Sequence, residues 1–62
     1  MKRRELIARL QGAGCRLVRH GGGHDIYHNP QTGRSQPVPR HAEINERLAR
    51  KILRDLTGGE TG

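Results

Sequence analysis

Three short strands separated by two turns are predicted by residues 15–39, which read CRLVRHGGGHDIYHNPQTGRSQPVP. The turns fall at the glycine run 21–23 and at the Pro-Gln-Thr-Gly segment 30–33, because glycine runs interrupt regular structure and this order of Pro and Gly is typical of a hairpin. Three segments of strand length remain, at 15–20, 24–29 and 34–39. We therefore expect an antiparallel meander, in which Pro37 restricts the third strand to a sheet edge because proline has no amide donor.

The alternation of side chains along these strands predicts which residues reach the core. In the second strand we expect Ile26 to contact the core and Tyr27 to lie on the opposite face. In the first strand Cys15 shares a face with Leu17, and Cys15 is expected to be a small core residue. One face of the sheet is thus predicted to be buried and the other to remain exposed.

Helical periodicity is found on both sides of the strands. Residues 2–11 are predicted to form a helix whose apolar stripe includes Leu6, Ile7 and Leu10. The helix is expected to end at the glycines that follow, because glycine readily adopts the left-handed conformation found after a helix C-terminus.

The last helix has the clearest apolar stripe. Its members recur at every fourth residue: Ile44, Leu48, Ile52 and Leu56. Asn45 is expected to cap the N-terminus of this helix. Together the elements predict one α+β domain over residues 1–57 with the order α-β-β-β-α, in which two helices cover one face of a three-stranded antiparallel sheet. A flexible tail is expected at residues 58–62.

The charge balance indicates a partner of opposite charge. The 62 residues include 12 Lys and Arg against 6 Asp and Glu, a formal net charge of +6. A small basic domain usually binds a polyanion or an acidic protein, although abundant arginine can also reflect genome composition alone. With one Tyr and neither Phe nor Trp, the chain lacks the aromatic side chains that stack single-stranded bases, so contacts to the nucleic-acid backbone are expected.

Other classes of protein are disfavoured by the composition. A single Cys excludes an internal disulfide, and no apolar run reaches the roughly 18 residues of a membrane span. We therefore expect a cytoplasmic protein with neither a membrane nor a small-molecule cofactor among its partners.

Three of the four histidines are spaced by four residues, at His20, His24 and His28. Zinc binding is disfavoured because the glycine run prevents a helix from aligning them and because the chain has one thiol. Two interpretations remain, namely solvent-facing histidines on a basic surface and a catalytic histidine in metal-free RNA cleavage. Imidazole can accept or donate a proton near neutral pH, and the glycine run would let a phosphodiester approach the backbone closely.

Several of these residues together resemble a known family. The matching segments are Gly22-Gly23-His24-Asp25-Ile26-Tyr27, then Val38-Pro39-Arg40-His41, and Ile52-Leu53 in the last helix. In this order and spacing they resemble the HicA toxins of bacterial type II toxin–antitoxin systems. The resemblance implies a fold similar to double-stranded-RNA-binding domains, a ribosome-independent mRNA interferase activity, and a HicB-like antitoxin that blocks the site. It also implies that His24 is catalytic.

The expected site surrounds His24. His24 would act as general base or acid without a metal, and Gly22 and Gly23 would supply space for the RNA backbone. Candidates for RNA contacts are Arg16, Arg34, Arg40 and Tyr27. A tyrosine such as Tyr27 more often packs structurally, and His41 is expected to fix the strand-to-helix junction through a hydrogen bond. The alternative function is a double-stranded-RNA-binding module without catalysis.

Overall fold

The computed structural model describes residues 1–58 and has the element order α-β-β-β-α. The elements are α1 (Arg3–Gly12), β1 (Arg16–His20), β2 (His24–Asn29), β3 (Arg34–Pro39) and α2 (Glu46–Leu56). The predicted α+β fold is therefore confirmed, with strand bounds that differ from the prediction by one residue at the start of β1. Apart from Gly58, the predicted flexible tail lies outside the described residues.

The sheet is an antiparallel meander in the order β1-β2-β3. Pro37 lies in β3, an edge strand, as its missing amide donor predicts. The β2–β3 turn is closed by the amides of Thr32 and Gly33, which both donate to the carbonyl of Asn29. Gly33 has φ +74°, a left-handed conformation that favours glycine at this position. A bulge between Leu17 and Arg19 shifts the register of β1 against β2.

One hydrophobic core joins both helices to one face of the sheet. Its buried members are Leu6, Leu10, Cys15, Tyr27, Val38, Ile44, Ala49, Ile52 and Leu56. Cys15 is thus a core residue, as predicted, and burial raises the pKa of its thiol. Along the whole of β2, exposed or half-buried residues alternate with buried ones. The helices therefore cover one face of the sheet and leave the opposite face uncovered.

The face assigned to β2 from sequence is wrong. Tyr27 is 6% exposed and packs in the core, whereas Ile26 is half-buried on the other face. Asp25 and Asn29 share the core side of the strand with Tyr27. Hydrophobicity selects the wrong face here because two of the three inward positions are polar and are buried through hydrogen bonds.

Leu48 is also less buried than its position in the stripe of α2 predicts. It is 39% exposed, whereas Ala49, Ile52 and Leu56 are fully buried or nearly so. A step of four residues overshoots one helical turn of 3.6 residues by about 40°, so a stripe at this spacing rotates away from the core within two steps. The face of α2 that packs on the sheet therefore runs through Ala49 at its N-terminal end.

The two helices begin at defined anchors. The Asn45 side chain accepts hydrogen bonds from the amides of Arg47 at 2.8 Å and Leu48 at 3.3 Å, which confirms the predicted N-cap of α2. The start of α1 is tied to the segment before α2, because the amide of Arg3 donates to the carbonyl of Ala42. Neither helix in the described part of the chain has the length and apolar character needed to cross a membrane.

Candidate active site

The β1–β2 connection is an open loop of three glycines, residues 21–23. None of the three adopts a left-handed φ, so their backbone conformation does not require glycine. A Cβ atom added at Gly22 or Gly23 would have no heavy atom within 4 Å, whereas one at Gly21 would approach the carbonyl oxygen of His24 to 3.3 Å. Neither packing nor backbone strain explains Gly22 and Gly23, and the space beside them is free for a ligand.

His24 is the first residue of β2 and lies beside this space. It is exposed and belongs to the face of β2 that points away from the helices. Hydrogen bonds to imidazole within residues 1–58 are confined to His20 and His28, so both ring nitrogens of His24 are accessible. An imidazole in this position can exchange a proton with a bound substrate without breaking a contact that the fold needs.

The exposed face of the sheet carries cationic residues from β1. Arg16 pairs with His28 and Arg19 pairs with Ile26, so both arginines lie on the same face as His24. The sequence predicts Arg16 as an RNA contact, but it does not predict that Arg19 lies on this face. Strict alternation would put Arg19 on the same side as Leu17, and it is the bulge between them that turns Arg19 to the exposed face.

A charged cluster lies at the same end of the sheet and is centred on Asp25. The carboxylate, in a residue only 8% exposed, accepts from Nδ1 of His20 at 2.8 Å, from Nε of Arg40 at 3.0 Å and from Nη2 of Arg3 at 2.7 Å. The hydrogen bond from His20, followed by that from Arg40, lowers the pKa of Asp25 against the opposing effect of desolvation. Arg40 also reaches the carbonyl of Gly21 at 3.3 Å.

The sequence patterns do not predict that the residues of this cluster lie together. His20 and Asp25 are the first residues that pair across the hairpin, and four residues, 21–24, lie between them. Side chains of directly paired residues lie close together on one face. A hairpin centred on the glycine run would instead pair His20 with His24, so the register that brings His20 beside Asp25 is set by the tertiary structure and not by the glycine pattern.

Other predicted site residues lie away from His24. Arg34 pairs with Asn29 at the far end of β2, about 16 Å from His24 at the usual rise of a strand, and its guanidinium donates to the carbonyl of Asp55. The Tyr27 ring packs in the core, a position that favours its structural interpretation over an RNA contact. His41 is exposed and lacks the expected hydrogen bond at the junction within residues 1–58.

The described residues contain no group of three or more His, Cys, Asp and Glu side chains close enough to share a metal ion. Apart from His24, the ionisable groups near the glycine loop contact one another, in the cluster of Asp25 with Arg3, His20 and Arg40. The arrangement offers proton transfer and phosphate binding rather than a preformed set of metal ligands.

Comparison with known protein families gives one match. The family model of the HicA toxin of bacterial toxin–antitoxin systems matches residues 3–57. The chain belongs to the HicA toxin family. The match covers every helix and strand of the domain, and the family is one of toxins from toxin–antitoxin systems, so an antitoxin partner is implied. No curated protein and no solved structure showed significant similarity to this HicA toxin.

Proposed function

We propose that this HicA toxin is an mRNA endonuclease that works without a metal ion and uses His24 for proton transfer. The observation that carries the proposal is the position of His24, whose exposed imidazole has no hydrogen bond to another residue within 1–58 and lies beside the open space at Gly22 and Gly23. A general acid or base must reach the atom that it protonates or deprotonates, and an imidazole held in a core contact could not do so.

The proposed reaction uses the 2′-hydroxyl of the RNA as nucleophile. A general base removes its proton, the oxygen attacks the neighbouring phosphorus, and the P–O5′ bond breaks to give a cyclic phosphate and a 5′-hydroxyl. Negative charge that develops on the phosphoryl oxygens would be stabilised by guanidinium groups near the loop. Arg19 is suited to this from the exposed face, and Arg40 from the hairpin end.

Phosphate contacts of this kind would be spread along the exposed face. His28, four residues after His24 in β2, pairs with Arg16, which puts this arginine about 13 Å from His24 along the strand. That distance is longer than the gap between neighbouring phosphates of one RNA strand, so Arg16 would contact a phosphate other than the one that is cleaved. Arg34, at the far end and on the helix side, is the weakest of the predicted RNA contacts.

The implied antitoxin is proposed to be an acidic, HicB-like protein that covers His24. A net charge of +6 on a domain of 62 residues attracts an anionic partner and accelerates encounter. A core with nine buried apolar residues leaves little stability in reserve, so a partner that binds only the folded toxin would raise its melting temperature. Because the proposed substrate is mRNA, we also propose that the protein acts in the cytoplasm.

The test is cleavage of a single-stranded RNA by the purified protein in excess EDTA. We expect cleavage in EDTA, a loss of about 100-fold or more for His24→Ala, and no change for His41→Ala, another exposed histidine. Because His24 has no contact in the core, both variants should melt within a few degrees of the wild type. Addition of the protein encoded next to the toxin gene should give a complex without activity.

Three results would contradict the proposal. Activity that requires magnesium would exclude the metal-free reaction, and full activity of His24→Ala would exclude the assigned residue. Binding of double-stranded RNA without cleavage by the wild type would favour the alternative, a non-catalytic RNA-binding module.

A further inference from the structure

A second histidine stands at the same hairpin end as His24. His20 ends β1 and pairs with Asp25, while the amide of Gly21 donates to the carbonyl of His24. The His20 side chain is 68% exposed even though its Nδ1 lies 2.8 Å from the Asp25 carboxylate. The three-glycine loop is thus flanked by one imidazole from β1 and one from β2.

The contact with Asp25 determines which nitrogen of His20 is available. The low pKa of Asp25 keeps the carboxylate ionised, and an ionised carboxylate can only accept hydrogen bonds. Nδ1 of His20 must therefore carry a proton, which leaves Nε2 as the nitrogen that can exchange one. The 3.4 Å approach of Arg40 to Nδ1 cannot be a hydrogen bond in this tautomer, and the guanidinium is held by Asp25 and the carbonyl of Gly21 instead.

The two imidazoles leave the sheet in opposite directions. His24 belongs to the exposed face of β2, whereas His20 is paired with Asp25, which belongs to the face that carries the helices. In a displacement at phosphorus the attacking and leaving oxygens lie roughly in line, on opposite sides of the phosphorus atom. A phosphodiester that crosses the open loop at Gly22 and Gly23 would therefore meet one imidazole on the side of each oxygen.

We propose that His20 is the second proton-transfer residue of the RNA cleavage, acting through Nε2 while Asp25 holds Nδ1. This inference rests on the proposed endonuclease function. One histidine of the pair takes the proton of the 2′-hydroxyl as the P–O2′ bond forms, and the other gives its proton to O5′ as the P–O5′ bond breaks. The products are a 2′,3′-cyclic phosphate and a 5′-hydroxyl, and proton exchange with water returns both imidazoles to their starting states.

The experiment compares His20→Ala, His24→Ala and the control His41→Ala on two RNA oligonucleotides. One has the normal phosphodiester and the other has sulfur in place of the bridging 5′-oxygen. We expect a loss of about 100-fold or more for both His20→Ala and His24→Ala on normal RNA, and none for the control. A thiolate leaves without protonation because thiols are far more acidic than alcohols, so the sulfur substrate should restore cleavage to the variant that lacks the general acid and not to the other.

A further variant separates proton transfer from structure. The side-chain amide of His20→Asn can still donate to Asp25 but cannot transfer a proton, so this variant should melt like the wild type and cleave as poorly as His20→Ala. Cleavage by His20→Ala at the wild-type rate would overturn the inference, as would restoration of both histidine variants, or of neither, by the sulfur substrate. Absence of cleavage by the wild type on both substrates would instead contradict the endonuclease function itself.

Discussion

β2 buries a polar side chain at each end, and the two ends differ in what holds that side chain. Asn29 is neutral and joins main-chain segments, since its amide donates to the carbonyl of Leu56 at 2.7 Å and its oxygen accepts from the amide of Gln31 at 2.9 Å. Asp25 is charged and holds side chains that solvent can reach, His20 and Arg40 among them. One end of the strand therefore stabilises the fold, whereas the other holds exposed side chains at the site where we propose that RNA binds.

The glycines at the two ends follow the same division. Gly33, in the turn after Asn29, has φ +74°, and Gly14, where an added Cβ would contact the Asn29 side chain, has φ +94°. Gly22 and Gly23, beside Asp25, have neither a left-handed backbone nor a crowded Cβ position. Glycine is thus required by conformation at the structural end and leaves empty space at the candidate active site.

The largest expected effect of breaking the structural end comes from Asn29→Ala. This change removes a buried donor from the carbonyl of Leu56 and an acceptor from the amide of Gln31, which should lower the free energy of unfolding by about 1–3 kcal/mol. Cleavage per folded molecule should stay at the wild-type level, because Asn29 lies at the far end of β2 from His24. Urea unfolding and an RNA assay measure the two quantities, and an unchanged unfolding midpoint would refute the structural role.

A smaller effect separates the glycines of the two turns. Gly33→Ala forces a side chain into the left-handed region and should cost about 1–2 kcal/mol of stability. Gly22→Ala should leave stability unchanged or raise it by up to about 1 kcal/mol, because it restricts the unfolded chain without strain, yet it should weaken RNA cleavage by filling the space beside His24. Equal destabilisation by both changes, or undiminished cleavage by Gly22→Ala, would contradict the division.

The smallest effect is the dependence of stability on pH. The pKa of Asp25 is lower in the folded protein, mainly because of the hydrogen bond from His20. The charge of Asp25 therefore stabilises the fold fully above about pH 4. This contribution is lost as the pH falls through the pKa of the folded state. The difference in unfolding free energy between the wild type and Asp25→Asn should therefore shrink as pH falls from 5 to 3. Glu43 and Asp55 also have lowered pKa values, but both remain in the variant and cancel in this difference. A difference that stays constant or grows in acid would be inconsistent with an ionised, stabilising Asp25.

Much of the fold was predictable because it depends on local signals. The Asn45 cap, the turn that ends at Gly33 and the proline in an edge strand each follow from the conformational preference of the residue concerned. Two assignments that depend on packing were wrong, the face of Tyr27 and the burial of Leu48. Each assignment depends on which side of the helix or strand packs against its neighbour, and the spacing of apolar residues does not define that side sharply enough.

The sequence by itself determined the order of elements, the basic charge, the glycine loop and the presence of His24 beside it, because these are properties of neighbouring residues. Only the tertiary structure decided that Asp25 is buried in contact with His20, Arg40 and Arg3, since the four residues come from four separate segments of the chain. It also decided that the bulge turns Arg19 to the exposed face and that Arg34 lies far from the loop. Strand pairing brings residues together through the register of backbone hydrogen bonds, and a linear pattern does not specify that register until the turns and bulges are known.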